Sequence, residues 1–245
     1  MKSYDNRGTL SRSDVQSVYD RFAKVGHAGG KDASSGYGGP AVKALLSMAS
    51  FSTATNVLDY GCGQCKLAEL VLPACTNIQT WQGVDQSDAM IESSRNRLFS
   101  KEDGSIFKER LKLDLLVNGE PDEVNVGVGT VDRFVSTYCL DLLSEQDIYS
   151  VLDLAERCLE PKDGLLLLAG ITWGYQDSIK TFLMTMIWEI LYIFSRKTVG
   201  GCRPQNLTPY LIEKGWEIIQ CIRTRPDGYP WMMSEVIAAR PPRNV

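Results

Sequence analysis

Two cysteines and two glycines share the stretch VLDYGCGQCKLAEL, which runs from Val57 to Leu70. Cys62 and Cys65 have the CxxC spacing of zinc sites and of thiol–disulfide exchange sites. A zinc site needs about four ligands, but the chain has no second CxxC and its single histidine is His27. We therefore expect no bound metal. We interpret both cysteines as small residues packed in a loop, with a redox pair as the alternative, because thiols near a helix N-terminus have a lowered pKa.

The glycines of this stretch indicate a ligand-binding turn. Gly61 and Gly63 follow the short apolar segment NVLDY and precede the helical segment KLAEL. At the carboxyl end of a strand in an α/β sheet, glycines allow a tight turn and a close approach of the backbone to a ligand. The dinucleotide fingerprint GxGxxG needs a third glycine, where this chain has Lys66.

Two carboxylates flank the turn and distinguish between possible ligands. Asp85 ends the second predicted strand, 22 residues after Gly63, where a carboxylate suits a pair of ribose hydroxyls. Asp59 lies two residues before the turn, where its charge would repel a pyrophosphate and favour a ligand with a cationic amine and a sulfonium. This combination favours S-adenosylmethionine over a nicotinamide dinucleotide.

Apolar periodicity predicts the elements that position these residues. The predicted strands are NVLDY, WQGVD, FKERLKLDLL, VDRFVSTYCL and GLLLLAGIT, and they alternate with the helices KLAELVLPAC, SDAMIESSRNRLFS and SEQDIYSVLDLAERCL. Ser13, Ser87 and Ser144 are the predicted N-caps of the first helix, SRSDVQSVYDRFAKV, and of the last two of those helices. This alternation predicts an α/β protein with a doubly wound, mostly parallel sheet. WEIIQCIRTR and WMMSEVIAAR, on either side of an Asp-Gly turn, are predicted to close it as an antiparallel pair.

Composition limits the function classes. The 245 residues carry 26 Lys+Arg against 30 Asp+Glu, a net charge of −4 without a basic run, so we do not expect a nucleic-acid substrate. A polar start without a secretory segment and seven scattered cysteines predict a cytoplasmic protein with reduced thiols. The longest apolar stretch, Thr181 to Phe194, contains Glu189 and is shorter than the roughly 20 residues that span a bilayer.

The chain resembles the class I S-adenosylmethionine-dependent methyltransferases, in particular the small-molecule branch known as type 11. VLDYGCGQCKLAEL is similar to the first motif of this family and GVDQSDAMIESSRNRL to its ribose-binding strand and helix. LKLDLL, VDRFVSTYCLDLL and LEPKDGLLLLAG are similar to its next three segments, so that the resemblance extends from about Tyr19 to Ala239.

The resemblance implies a Rossmann-like, seven-stranded sheet with an antiparallel last strand in a single domain over residues 1–245. Residues 1–50 would form a helical N-terminal cap with a glycine-rich flap, and residues 172–210 a helical lid inserted after strand five. S-adenosyl-L-methionine would be the cofactor, with Asp114 beside its adenine and two tyrosines over its methionine end. The implied cofactor-binding residues are Tyr19, Tyr37, Asp59, Gly61, Cys62, Gly63, Asp85, Gln86, Asp114, Leu115 and Tyr138.

The chain departs from the family pattern in two places. Cys65 stands where the family usually has glycine, which predicts a slightly displaced or tighter loop. Many relatives have a histidine near the position of Asp141. The implied reaction is a direct displacement at the methyl carbon, which needs mainly positioning and exclusion of water. If a neutral amine or hydroxyl is methylated, the candidate general bases are Asp141, Tyr138 and His27.

The acceptor is expected to be a small molecule, largely apolar or an aromatic or amine compound, held under the segment Phe182 to Phe194. The stripe Phe182, Met186, Ile190 and Phe194 is interpreted as part of this lid, with ordinary core and membrane-surface contact as alternatives. The predicted substrate-binding residues are Trp188, Tyr192, Tyr229 and Trp231. A protein that binds S-adenosylmethionine without turnover and a nicotinamide-dependent oxidoreductase remain the alternative functions.

Overall fold

The computed structural model describes residues 9–25, 39–100, 104–173, 178–225 and 232–242. Seven strands form one sheet in the order β3-β2-β1-β4-β5-β7-β6. The strands are β1 (Asn56–Tyr60), β2 (Thr80–Asp85), β3 (Leu111–Leu115), β4 (Arg133–Thr137), β5 (Leu165–Thr172), β6 (Glu217–Thr224) and β7 (Met233–Arg240). The first five are parallel, and β7 runs antiparallel to both β5 and β6. The predicted doubly wound sheet with an antiparallel last strand is thus confirmed.

Helices cover both faces of the sheet. They are α1 (Arg12–Val25), α2 (Gly39–Ala49), α3 (Lys66–Val71), α4 (Asp88–Phe99), α5 (Ser105–Arg110), α6 (Glu145–Cys158), α7 (Ile179–Phe194) and α8 (Thr208–Glu213). One core, with Leu45, Trp81 and Leu167, lies on the α2 and α3 side. The other, with Phe134 and Leu152, lies on the α6 and α8 side. β5 is buried on both faces from its second residue onward, as expected of a central parallel strand.

Side-chain caps begin two helices where the sequence predicts them. Ser87 accepts a hydrogen bond from the Met90 amide, and Ser144 accepts one from the Asp147 amide. The prediction of Ser13 as the cap of the first helix is wrong. α1 already begins at Arg12, and Ser11 Oγ accepts from the Asp14 amide at 3.2 Å. Ser11 and Ser13 are equally good capping residues by type, so local sequence does not separate them.

The segment FKERLKLDLL divides between a helix and a strand. Residues up to Arg110 belong to α5, and only Leu111–Leu115 form β3. The prediction of a strand over the whole segment is therefore wrong. Phe107 is buried against the α2 and α3 core, and this packing favours one helical turn that directly abuts the strand.

None of the helices in the described part of the chain combines the length and apolarity that crossing a bilayer requires.

Candidate active site

The loop after β1 turns back sharply because three of its residues have a left-handed backbone. Gly61, Gly63 and Cys65 have φ angles of 71°, 52° and 52°. The amides of Gly61 and Cys62 both donate to the carbonyl oxygen of Val84, at 2.9 and 3.0 Å. The loop is thereby attached to β2, and Cys65 becomes the N-cap residue of α3.

The two glycines of the loop have different surroundings. A Cβ atom on Gly61 would overlap the side chain of Cys139 and would lie 2.6 Å from its Cβ atom. A Cβ atom on Gly63 would have no neighbour within 4 Å. Gly61 is therefore required by packing within the protein, whereas Gly63 borders open space.

Asp85 closes the far side of this space. Its two carboxylate oxygens accept hydrogen bonds from the amides of Gly63 and Ser87, each at 2.8 Å. Burial raises the pKa of Asp85, and these amides oppose the shift because they stabilise the ionised form. Ser87 Oγ also donates to Asp20 at 2.5 Å, which brings α1 against the end of β2.

Asp59 is buried inside the sheet next to the loop. Its side chain is 1% exposed, and Oδ1 has no hydrogen-bond partner within the described residues. Burial raises its pKa to about 7, a contact with Trp81 opposes the shift, and the charge of Asp85 adds to it. A carboxylate held dry and incompletely paired is prepared to receive a cation or a hydrogen-bond donor.

Cys62 and Cys65 are packed thiols. Both sulfur atoms lie against Gly83, about where a side chain on that residue would stand. All seven cysteines of the chain are free. A hydrogen bond with Cys65, followed by burial, raises the pKa of Cys62 well above its ordinary value, so its thiol is a weak nucleophile. No group of three or more His, Cys, Asp or Glu residues within the described ranges could hold a metal ion.

Asp141 lies beyond β4, in a 3-10 turn over Leu140–Leu142. Its carboxylate is 1% exposed; Oδ2 accepts from the Ile171 amide at 3.2 Å, and Oδ1 has no partner among the described residues. Burial raises the pKa of Asp141 to about 7. Tyr138, which precedes the turn, has a φ of 53°, and its hydroxyl is 3.0 Å from that of Ser234. Burial raises the pKa of Tyr138 well above its ordinary value.

α1 meets the segment that follows α7 over this edge of the sheet. Tyr19 Oη lies 3.6 Å from Cys202 Sγ, and Lys197 pairs with Asp14 at 2.6 Å. The charge of Asp141 raises the pKa of both Tyr19 and Cys202, in addition to their burial. We call this assembly of α1 with residues 195–203 the roof.

The buried face of α7 carries both hydroxyl and aromatic side chains. Thr181, Thr185 and Tyr192 are buried, and Trp188 Nε1 donates to the Cys202 carbonyl oxygen at 2.9 Å. The predicted substrate-binding residues Trp188 and Tyr192 thus lie on the same side of the helix. Three residues of the apolar stripe, Met186, Ile190 and Phe194, are exposed instead, so the interpretation of this stripe as ordinary core is wrong.

The remaining predicted cofactor residues lie at the ends of β2 and β3. Leu115 is the register partner of Asp85 and is 38% exposed. The side chain of Gln86 lies against Gly119. The Asp114 carboxylate accepts a hydrogen bond from Gln82 Nε2 at 2.7 Å and pairs with Lys112 at 2.9 Å. Both contacts hold this side chain at the end of β3, where an adenine is predicted to bind.

Four predicted residues, His27, Tyr37, Tyr229 and Trp231, lie outside the described residues. Sequence reasoning missed Asp20, Cys139 and Cys202, which the structure places against Ser87, Gly61 and Tyr19. Cys139 is the next-to-last residue of the predicted strand VDRFVSTYCL, and this place near a strand end was the only indication of it in the sequence. Nothing in the sequence indicated Asp20 or Cys202, because each contacts a residue that is distant along the chain. The separation is 67 residues for Asp20 and Ser87 and 183 residues for Cys202 and Tyr19.

Comparison with known proteins identifies this arrangement. Residues 57–162, from β1 to just past α6, match the family model for a methyltransferase domain. The chain therefore contains a methyltransferase domain over these residues. No curated protein matches the sequence.

Solved structures with the fold of this methyltransferase include proteins of different activity. The cyclase SpnF superposes with a TM-score of 0.67 at 16% identity, over 96% of this chain and 98% of that one. The N-methyltransferase NodS of Bradyrhizobium japonicum WM9, in complex with S-adenosylhomocysteine, superposes with a TM-score of 0.65 at 11% identity, over 94% of this chain and 99% of that one. The geranyl diphosphate C-methyltransferase of Streptomyces coelicolor A3(2), also in complex with S-adenosylhomocysteine, superposes with a TM-score of 0.60 at 13% identity, over 81% of this chain and 77% of that one. At these identities the likeness shows the shared fold.

The residues of the methyltransferase fit its cofactor, S-adenosylmethionine. Gly63 leaves the space that a close backbone contact requires, and Asp59 has an unpartnered buried oxygen suited to a cationic amine. Asp85 stands at the strand end that suits ribose hydroxyls. Cys65 adopts a left-handed backbone conformation that favours glycine.

Proposed function

We propose that this methyltransferase transfers a methyl group to a small, largely apolar acceptor held between α1 and α7, with Asp141 as the general base. Aromatic compounds and amines are the acceptor classes that we favour. The observation that carries the proposal is the Asp141 carboxylate, which is buried and has one unpartnered oxygen where β5 meets the roof.

The cofactor would lie along the loop after β1. In this proposal Asp59 binds the amine of its methionine part, and the backbone at Gly61, Cys62 and Gly63 contacts the ligand directly. Asp85 binds the ribose hydroxyls in exchange for part of its present bonding to Gly63 and Ser87. The rest of the proposed set comprises Gln86, Asp114 and Leu115 near the adenine and Tyr19, Tyr37 and Tyr138 near the methionine end.

When bound, S-adenosylmethionine supplies an electrophilic methyl carbon attached to a positively charged sulfur. The chain must hold an acceptor atom in line with that carbon and exclude water, and the roof is suited to both tasks. Asp141 Oδ1 would accept the proton that a neutral amine or hydroxyl loses on methylation. With a pKa of about 7, this carboxyl is partly ionised at neutral pH, as a general base should be.

Tyr138 is better suited to orient a ligand than to remove a proton. Its hydroxyl is shared with Ser234 and its pKa is raised by burial, so it stays protonated at neutral pH. His27 remains a candidate base, since its position lies outside the described residues.

The acceptor class is argued from the side chains on the inner face of α7. Trp188 and Tyr192 present aromatic surface there, and aromatic walls suit apolar or cationic molecules. Tyr229 and Trp231 belong to the connection between β6 and β7. This connection leaves the sheet beside the carboxyl end of β5, because Thr172 is in register with Met233. One of the structural neighbours acts on geranyl diphosphate and another is an N-methyltransferase.

A second candidate function is catalysis or binding without methyl transfer. The cyclase SpnF supports this candidate, because it has the same fold and is named for a reaction other than methyl transfer. Transfer of the cofactor's own methyl group to a product separates the two functions.

The proposal is tested with methyl-labelled S-adenosylmethionine and a metabolite extract separated by polarity. We expect label in small apolar or amine products, with S-adenosylhomocysteine formed in equal amount. Label in macromolecules or in highly charged products would overturn the acceptor class. Cofactor binding without any labelled product would favour the second candidate.

The role of Asp141 is tested in the same assay. Asp141→Asn should lower kcat by about 100-fold or more and should remove the rise of kcat/KM with pH that we expect of the wild type near pH 7. Asp122→Asn, at an exposed position of similar chemistry, serves as the control. An unchanged pH profile in a folded, cofactor-binding Asp141→Asn protein would exclude this carboxyl as the base.

A further inference from the structure

The outer face of α7 is apolar and exposed. Eight side chains on this face are between 40% and 84% exposed. With 100° between successive residues, they fall on one continuous side of the helix. They are Ile179, Leu183, Met186, Ile187, Ile190, Leu191, Ile193 and Phe194. Together they form one contiguous exposed apolar face, a feature that in soluble proteins marks protein–protein or membrane interaction sites.

This distribution is the reverse of that in a helix which covers a core. The inward face of α7 buries Thr181 and Thr185 together with Tyr192, whereas the aliphatic side chains point outward. The main packing partner of α7 is the 3-10 helix Arg196–Val199 that follows it. Burial among the described residues therefore does not account for the apolar residues of the outer face.

Positive charges stand at both ends of the outer face. Lys180 is exposed in the first turn, and Lys197 follows the last turn. Lys197 remains 61% exposed although it pairs with Asp14. The single acid of α7, Glu189, is half-buried on the other side of the helix, and burial raises its pKa. An apolar surface with cations at its ends complements an anionic lipid bilayer. The apolar side chains can insert among the acyl chains, and the cations can pair with the negatively charged headgroups.

The same charges disfavour a second copy of the chain as the occupant. A two-fold pair of antiparallel α7 helices would bring Lys180 of one copy near Lys197 of the other, and like charges in an interface oppose association. The 16 residues of α7 extend about 24 Å, so the helix fits in the plane of a bilayer surface and is too short to cross it.

We infer that α7 docks this methyltransferase on the surface of an anionic lipid bilayer through its outer face. The inner face of the same helix carries Trp188 and Tyr192, so docking would place the proposed acceptor site directly beside the lipid phase. The inference rests on the outer face alone and does not require the proposed acceptor or base.

Co-sedimentation of the full-length protein with vesicles tests the inference. We expect binding to phosphatidylcholine vesicles that contain 25% phosphatidylglycerol and weaker binding to pure phosphatidylcholine. The double variant Ile187→Glu/Ile190→Glu should bind the anionic vesicles at least tenfold more weakly, and Lys180→Glu several-fold more weakly. Ile212→Glu, which places the same charge at an exposed position on α8, is the matched control and should bind like wild type.

Each variant is first checked for its melting temperature and for binding of S-adenosylhomocysteine, which report folding independently of lipid. Equal vesicle binding by the folded double variant and wild type would overturn the inference. So would wild-type protein that stays in the supernatant with anionic vesicles. A dimer in solution that Ile190→Glu converts to monomer would instead identify a second copy as the occupant and would also overturn it.

Discussion

Three residues of the loop after β1 share a left-handed backbone, but only one of them borders free space. Gly61 is pressed against Cys139, Gly63 has no neighbour, and Cys65 is fully buried. Conformation alone would favour glycine at each position. The surroundings determine whether a side chain there affects folding or ligand binding, and this difference can be measured.

Gly61→Ala and Gly63→Ala should separate stability from binding. Gly61→Ala adds overlap with Cys139 to backbone strain, each costing about 1–3 kcal/mol of unfolding free energy. Gly63→Ala should cost about 1–2 kcal/mol through strain alone and should lower the affinity for S-adenosylmethionine more than tenfold. Denaturant unfolding and calorimetric titration measure both effects. Wild-type affinity in Gly63→Ala would mean that the open space is not the cofactor site.

Cys65 offers a test of backbone strain. Cys65→Gly and Cys65→Ala both remove the buried thiol, but only glycine adopts a φ of 52° without cost. We therefore expect the glycine variant to be more stable than the alanine variant by about 1 kcal/mol. Ser94, inside α4, is the control, because there alanine should be the more stable of the two by about 1 kcal/mol. The same order at both positions would contradict the left-handed conformation of Cys65.

At the scale of elements, α7 has two faces that should respond differently to mutation. Trp188→Ala should raise the acceptor KM or lower kcat/KM by an amount equivalent to roughly 1–3 kcal/mol, with little change in cofactor affinity. Trp188→Phe, which keeps an aromatic ring but loses the hydrogen bond to Cys202 and part of the indole surface, should have a smaller effect. Phe194→Ala on the outer face should leave acceptor kinetics in solution unchanged.

The Trp188 variants also need a stability measurement. An ordinary core tryptophan would cost roughly 3–5 kcal/mol of unfolding free energy when truncated to alanine. A large loss of both melting temperature and cofactor affinity in Trp188→Ala would therefore reject the substrate-lid interpretation of α7.

At the scale of the whole molecule, buried carboxyls set a pH dependence of stability. The pKa values of Asp59 and Asp141 are raised to about 7, whereas in the unfolded chain an aspartate titrates near 3.9. The folded state therefore binds more protons between about pH 4 and pH 7, and the free energy of unfolding falls as pH rises through this range. Each group contributes up to about 1.4 kcal/mol per pH unit.

Urea unfolding at several pH values between 5 and 8 measures this slope. The double variant Asp59→Asn/Asp141→Asn should show a flatter profile over pH 5–7 than wild type, while Asp122→Asn should not differ from wild type. A wild-type stability that increases steadily from pH 5 to pH 7 would show that ionised, paired carboxylates dominate instead.

Local sequence was sufficient for the order of the elements and for the cofactor loop. The strand NVLDY, Gly61, Gly63 and the caps Ser87 and Ser144 are recognisable because each depends on residues within a few positions along the chain. The wrong predictions, of a helix cap and of a strand, arose where the local sequence is compatible with two structures. Ser11 and Ser13 can both cap a helix, and the apolar residues of FKERLKLDLL fit the spacing of one strand as well as that of a helical turn followed by a strand.

The surroundings of the loop and the orientation of α7 depended on tertiary structure. Cys139 reaches Gly61, and Tyr19 reaches Cys202, only after the sheet has brought distant segments to one edge. Helical periodicity predicts an apolar stripe on α7, but it does not determine whether that stripe faces the sheet or the solvent. That orientation follows from the burial of Thr181, Thr185 and Tyr192 and from the bond of Trp188 to Cys202, because the direction of a helix face is set by long-range packing rather than by neighbours in sequence.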